Sequence, residues 1–262
     1  MNRPEASHTE KHEFALFVET LSLLIVNIKV GAEFTISDEK LFHRMATVLR
    51  LKVGDVCILF DQALQVICAV HAFTGKKHIY FVLHKKTSNV QQQPHITFLL
   101  PVLKRDDYES ALYALAELGI NRIQLVYTQK TSQQWAGQRD IDRAERILIA
   151  AAEQSKNFAY PELQSPISLD RALYEYRSSD KRIFFDAAGA SFFSVMKILH
   201  ENKPQRIVLL IGPEGDLSAE EKKMVEEKGF IFCALTPTIV RAVQAAALGA
   251  GFVRSVVNSD PF

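Results

Sequence analysis

From His95 to about Val256, apolar strands alternate with amphipathic helices, and this alternation limits the possible folds more than any other feature of the chain. HITFLLPVL reads as a strand, DDYESALYALAELG as a helix, RIQLVYT as a strand and IDRAERILIAAAEQS as a helix. RIFFDAA, QRIVLLIG, a helix from Ser218, the strand FIFCALT and a last helix from about Val240 follow. Strands separated by helices pair in parallel, because the helix carries the chain back across the sheet. The expectation is therefore an α/β domain with a mostly parallel sheet. Asp106 or Asp107 can cap the first of these helices, and Gly119 fits its C-terminal turn.

Before this region the period is different. FALFVETL, LIVNIKV, DVCILFD, QVICAVHAF and KKHIYFVLHK are short β-rich runs separated by turn residues. SDEKLFHRMATVLR interrupts them as a helix. Ser37 is placed to cap it, and Leu41, Met45 and Val48 form its apolar face. The polar segment TSNVQQQP, from Thr87 to Pro94, reads as a linker. Two domains are expected, residues 1–93 and 94–262.

The bulk composition excludes little but is useful at three points. Net charge is +1, so any nucleic-acid contact must come from local basic patches. The three cysteines, Cys57, Cys68 and Cys233, lack a Cys-x-x-Cys spacing and read as buried reduced thiols rather than a metal site. The start, MNRPEASHTEKHE, reads as a frayed polar tail and not a signal peptide. Leu21–Val26 and the Ala245–Gly251 run are both too short to span a bilayer. No metal and no membrane partner are expected, and a cytoplasmic location is.

Two segments carry chemistry. In RIVLLIGPEGDLSAEE, residues 206–221, an apolar strand runs into Gly212-Pro213-Glu214-Gly215 and then a helix with a Ser218/Glu221 capping box. Glycines allow close approach of backbone to ligand, and parallel sheets bind ligands at the carboxyl ends of their strands. The same residues equally fit a plain tight turn. The loop lacks the Lys-Ser/Thr pair of a phosphate loop. In LTPTIVRAVQAAALGAGFVRSV, residues 235–256, Arg241 falls near the start of a helix, where the dipole disfavours it unless it meets an anion. The small residues from Ala245 to Gly251 permit close packing, either inside the domain or across a dimer.

These segments, together with HRMATVLRLKVGD (43–55) and FD (60–61), LPVLKRDDYESALYALAELGI (100–120) and AAEQS with PE (151–162), resemble the SPOUT superfamily, and within it the RsmE family of 16S rRNA uridine-N3 methyltransferases. The resemblance runs from about residue 34 to 256. It implies a trefoil-knotted domain that binds S-adenosylmethionine, preceded by a small PUA-like β-barrel, and a homodimer acting on 16S ribosomal RNA or the small subunit. It implies that Phe185, Ile211, Gly212, Pro213, Glu214, Gly215, Leu235, Thr236, Pro237, Val240 and Arg241 line the cofactor site, with Arg241 catalytic. Arg50 and Lys52 in the first module, and Lys104, Arg105 and Lys130 in the second, are the expected RNA contacts.

The chain departs from the family pattern at several positions. Asp216 stands where a second glycine is usual. The last loop, typically Leu-Gly-Pro-Arg-hydrophobic-Leu-Arg-Thr-Glu-Thr-Ala, has Thr236, Thr238 and Ala242-Val243-Gln244 instead, while Arg241 is retained. Gln129-Lys130 replaces Glu-Arg, and Asn157 and Phe158 stand where an arginine is usual. Methylation at N3 requires the methyl group in line with the nitrogen and loss of the N3 proton, which a cation such as Arg241 can assist electrostatically. A non-catalytic RNA-binding or ribosome-associated protein, or a methyltransferase for another RNA base, are the alternatives.

Overall fold

The computed structural model describes residues 14–131, 137–176 and 180–258. The polar start lies outside them. The chain divides into two compact units, the first running to Asn89 and the second from Val90, so the division falls inside the Gln-rich segment and ahead of Pro94.

The first unit carries β1 (Phe14–Phe17), α1 (Leu21–Leu24), β2 (Glu33–Ser37), α2 (Glu39–His43), β3 (Val56–Phe60), β4 (Leu64–Thr74) and β5 (His78–Ser88). Its five-stranded sheet has the order β1-β3-β4-β5-β2, with β1 parallel to β3 and the other pairs antiparallel. The strands bury alternate residues, such as Val66, Cys68 and Val70 on β4. Cys57 and Cys68 face each other across β3 and β4 as buried free thiols, and Cys233 is buried and free as well.

Three local expectations are corrected. LIVNIKV is not a strand: Leu21 and Ile25 are buried at helical i, i+4 spacing, whereas Val26 and Val30 are exposed. The strand that was not anticipated is β2, EFTIS, which buries only Phe34 and Ile36. Asp38, not Ser37, caps α2, its carboxylate accepting from the Leu41 amide at 2.9 Å. Ser37 ends β2, with its hydroxyl 2.8 Å from His78 Nδ1. The helix then widens into a π-helical turn at Arg44–Val48, which buries Met45 and leaves Val48 exposed.

Asp61 closes the β3–β4 hairpin. Its buried carboxylate accepts from the amides of Ser22 at 2.6 Å, Ala63 at 2.8 Å and Leu64 at 2.9 Å. Burial raises its pKa, but these amides together with the Ser22 hydroxyl outweigh burial and hold it below the ordinary value. One side chain thus fixes both the turn and the start of α1.

The second unit contains β6 (His95–Pro101), α3 (Arg105–Glu117), β7 (Arg122–Tyr127), α4 (Gln138–Ser155), β8 (Glu162–Ser168), α5 (Leu169–Tyr174), β9 (Lys181–Ser191), α6 (Phe192–Asn202), β10 (Arg206–Ile211), α7 (Ala219–Glu227), β11 (Ile231–Ala234) and α8 (Ala242–Asn258). The six strands are all parallel, in the order β11-β9-β10-β6-β7-β8. Both faces of the central strands are covered, which explains their unbroken apolar runs. On β10, Ile207, Leu209 and Ile211 join the core shared with α3 and α8, while Val208 and Leu210 join the core beneath α5 and α7.

The last helix is tied to the base of the sheet by a buried arginine. Arg254 donates to the carbonyls of Pro94 at 2.9 Å and Gly119 at 2.5 Å, and to Asn121 Oδ1 at 3.0 Å. Burial holds its pKa down at about 10. Asn121 relays the tie to β6 by accepting from the Ile96 amide at 2.8 Å. No helix among the described residues is long and apolar enough to cross a membrane.

Candidate active site

A cavity of about 600 Å³ opens at the carboxyl ends of β9, β10 and β11, beside the first turn of α3. This is where a parallel sheet presents its loops, and the volume is in the usual range for a small-ligand site. The wall is formed by Phe185 and Asp186 of β9, by the 211–216 loop, by Leu235 to Arg241, by Ala242 and Ala245 of α8, and by Lys104 and Asp107.

The loop after β10 is held from several sides. Asp216 has a φ of 59°, a conformation in which glycine is favoured and aspartate is among the tolerated residues. This explains why a glycine can stand there in the family pattern and why aspartate fits. Its carboxylate contacts Lys222 Nζ at 2.6 Å, and the same ammonium contacts Asp186 at 2.6 Å. Burial lowers the Lys222 pKa, but the two carboxylates together outweigh burial and raise it. Glu214 accepts from the backbone amide of Lys104 at 2.9 Å, which supplies the cap that α3 does not get from its own side chains. Asp106 and Asp107 lie in the first turn of α3 rather than at its cap.

Behind the loop, Ser218 and Glu221 form the expected capping box. Glu221 also accepts from the Gln129 amide at 2.7 Å, joining the end of β7 to α7. Lys130, expected among the RNA contacts, donates from its ammonium to the carbonyl of Gly215 at 2.7 Å, tying the end of β7 to the loop.

The opposite wall is the segment before α8. Thr236 Oγ1 donates to the Thr238 carbonyl at 2.6 Å and shapes the turn. The amides of Ile239, Val240 and Arg241 have no hydrogen-bond partner among the described residues. Arg241 precedes the first residue of α8. Its Nε donates to Gln244 at 3.0 Å, and Nη1 lies 3.9 Å from Asp107 Oδ1. That carboxylate offsets the unfavourable placement of a cation at a helix N-terminus.

Phe185 completes the wall. Its ring lies where a side chain at Gly249 would project: a Cβ there would come within 2.3 Å of the ring. At this position, the small-residue run of α8 serves packing inside the unit.

Of the residues expected at the cofactor site, Phe185, Ile211, Gly212, Pro213, Glu214, Leu235, Thr236, Val240 and Arg241 line the cavity. Gly215 and Pro237 lie in the same loops but outside its lining. Lys104 is at the cavity edge, and Arg105 points along α3, 3.3 Å from Glu109. Arg50 and Lys52 are exposed in the first unit. Asp107 and Asp186 were missed as site residues. Asp107 carries a signal, since it follows a strand end and a basic pair, but in the sequence that signal is the same as that of a helix cap.

The sequence profile of the RNA methyltransferase domain family matches residues 91–253. The chain is a member of the RNA methyltransferase family. Its relatives include ribosomal RNA small subunit methyltransferase E of Mycobacterium bovis, 25% identical over 85% of this chain and 86% of that protein. The enzyme of the same name from Mesomycoplasma hyopneumoniae is 27% identical over 63% of this chain and 71% of the other. The fold is similar to that of ribosomal RNA small subunit methyltransferase E from Neisseria gonorrhoeae, solved bound to S-adenosyl methionine. The TM-score is 0.79 at 20% identity, covering 93% of this chain and 98% of that one. In this RNA methyltransferase the family match covers the whole of the described cavity.

Proposed function

We propose that the chain transfers a methyl group from S-adenosylmethionine to N3 of a uridine in 16S ribosomal RNA. The observation that carries this reading is the cavity at the strand ends, walled on one side by a loop with spare amides. Its chemistry suits the cofactor. Phe185, Ile211, Leu235 and Val240 offer apolar walls to an adenine ring, and the amides of Ile239 to Arg241 offer donors to its polar edges. Four carboxylates, from Asp107, Asp186, Glu214 and Asp216, line the cavity against three cations, Lys104 and Arg241 in the lining and Lys222 paired with Asp186 and Asp216. That balance favours a positively charged sulfonium. The bound cofactor supplies an electrophilic methyl carbon.

The residues of the chain do the rest. The 211–216 loop and the 235–241 loop hold the cofactor by backbone groups, which is why changed side chains in these loops are compatible with binding. Arg241, half free at the cavity mouth, faces the uracil and stabilises the ring as N3 loses its proton. It cannot be the base itself, because a guanidinium stays protonated.

In this reading the first unit is a PUA-like barrel that docks RNA through Arg50 and Lys52, and the second unit contacts RNA through Lys104 and Arg105. The chain from about 205 to 256 threads as a knot, and two copies pair beside α8. The relatives' names support the ribosomal substrate. The test is mass mapping of 16S ribosomal RNA from a strain lacking the protein, complemented with wild type, Arg241→Ala or Arg241→Lys. Wild type restores N3-methyluridine. Arg241→Ala lowers turnover roughly a hundredfold with cofactor binding intact, and Arg241→Lys recovers part of it. An unchanged methylation map in the deletion strain overturns the reading.

A further inference from the structure

N3 methylation releases a proton, and Arg241 cannot take it. The segment around Arg241 offers no carboxylate of its own, since Ala242, Val243 and Gln244 follow it. The nearest carboxylate comes from elsewhere in the sequence. Asp107, in the first turn of α3, lines the same cavity and lies 3.9 Å from Arg241 Nη1. Its side chain is about a quarter exposed and that of Arg241 is mostly exposed, so both can reach a base entering at the mouth. The other carboxylates of the cavity are committed. Glu214 caps α3 through the Lys104 amide, and Asp186 and Asp216 share Lys222.

Resting on the reading above, we propose that Asp107 is a catalytic residue that accepts the N3 proton, paired with Arg241 as the cation that holds the uracil. The Asp107 carboxylate accepts a hydrogen bond from N3–H, while Arg241 faces the carbonyl oxygen beside it. N3 then forms its bond to the methyl carbon. The carbon–sulfur bond breaks with its electron pair left on sulfur, and the N3 proton passes to an oxygen of Asp107 and from there to water. Charge balances: the sulfonium becomes a neutral thioether, and one proton is released. Placing the base on α3 and the cation before α8 makes the pair depend on the sheet order and not on the local motif.

The charged groups that line the cavity with Asp107 are Lys104 ahead of α3, Asp186 of β9, Glu214 and Asp216 of the β10 loop, and Arg241; Arg105, Asp106 and Glu109 share α3 with it, Glu109 pairs with Arg105 and with Arg143 of α4, and Lys222 of α7 pairs with Asp186 and Asp216. Asp107→Asn keeps the shape and removes the base. Loss of a positioned general base costs roughly a hundredfold to ten-thousandfold in rate. We therefore expect Asp107→Asn to lose at least about a hundredfold in kcat with KM for RNA little changed. Its rate climbs with pH, as the N3 proton is increasingly lost to solvent instead. A binding measurement gives an independent readout. With S-adenosylhomocysteine present, wild type binds a 16S fragment carrying uridine about tenfold more tightly than one carrying N3-methyluridine, because only uridine can donate to the carboxylate. Asp107→Asn, whose Oδ1 still accepts, keeps much of that preference, and Asp107→Ala, which has no acceptor, loses it.

Wild-type kcat in Asp107→Asn, or a retained preference for uridine in Asp107→Ala, overturns the assignment. So does loss of cofactor binding and melting temperature in both Asp107→Asn and Asp107→Glu, which would make Asp107 structural. If wild type makes no N3-methyluridine, the functional reading fails and the assignment fails with it. If wild type makes it and the variant makes it equally well, only the assignment fails.

Discussion

Gly249 is the position where a single methyl group tests the geometry of the cavity most directly. It lies on α8 with no Cβ, and the ring of Phe185 occupies the space. An alanine there would put Cβ 2.3, 2.6 and 2.8 Å from three ring atoms, whereas carbon atoms settle at roughly 3.5–4.0 Å. The ring must therefore retreat by about 1 Å or more. α8 blocks retreat on one side, and the cavity is open on the other, so the ring moves into the ligand space. Overpacking of this kind costs roughly 1–3 kcal/mol, and exchanging glycine for alanine inside a helix returns about 1 kcal/mol. The net loss of stability is about 0–2 kcal/mol, a fall in Tm of no more than about 6 °C. Ligand binding has no such compensation, since the displaced ring intrudes where the cofactor lies. Gly249→Ala should weaken S-adenosylmethionine about tenfold or more by calorimetry, while the melting curve moves little. Adding Phe185→Leu should restore part of the affinity, as expected for residues in direct contact. Unchanged affinity in the single variant would refute the placement of the ring against the cavity, and so would a double variant whose losses simply add.

Lys130→Ala removes the tie to the Gly215 carbonyl. We expect a loss of about tenfold in cofactor affinity with RNA affinity and its salt dependence unchanged; the reverse pattern would make Lys130 an RNA contact. Asp61→Asn should cost roughly 1–3 kcal/mol and speed hydrogen exchange at Ser22, Ala63 and Leu64, the three amides that its carboxylate holds. Because the folded pKa of Asp61 is depressed, its contribution is present above the ordinary carboxylate value and is lost as pH falls through the lower folded value. The acid limb of the wild-type Tm profile should accordingly be steeper than that of Asp61→Asn, and identical limbs would contradict the assignment.

The parallel sheet was legible because its central strands are covered on both faces. RIVLLI is apolar from Ile207 onward and HITFLLP from Phe98 onward, and the helices between them leave parallel pairing as the simple solution. The elements that escaped are those with weak burial patterns. β8, ELQSPIS, is an edge strand with no fully buried residue and a proline inside it, so it lacks the apolar signal of its neighbours. β9 runs directly into α6, with Ser191 both ending the strand and capping the helix, so no intervening turn residue marks the boundary. In the first unit, LIVNIKV has the composition of a strand, but only Ile25 of the run is buried, four residues after the buried Leu21. There the period was informative and the composition was not.

The site was legible as loops and not as contacts. Glycines, a proline and a capping box placed the 211–216 loop, and the strand end placed the 235–241 loop. The ties that fix them join distant parts of the sequence: Glu214 to Lys104, Lys130 to Gly215, Asp107 to Arg241. Each is created by β10 standing beside β6 and by α8 packing on α3, which no local spacing encodes. The same view accounts for the departures from the family pattern. Asp216 adopts the glycine-favoured conformation and repays it with an ion pair to Lys222. Thr236 stands where glycine is usual without a left-handed backbone, and bonds the Thr238 carbonyl. Gln244 accepts from Arg241 at the end of the changed triplet. The substituted side chains thus stabilise the loops from within and leave the amides of Ile239 to Arg241 facing no partner. If recognition of the cofactor rests on those amides, the loop can change most of its side chains and keep its ligand, while the chemistry at its mouth is set by whichever charged groups the fold brings there.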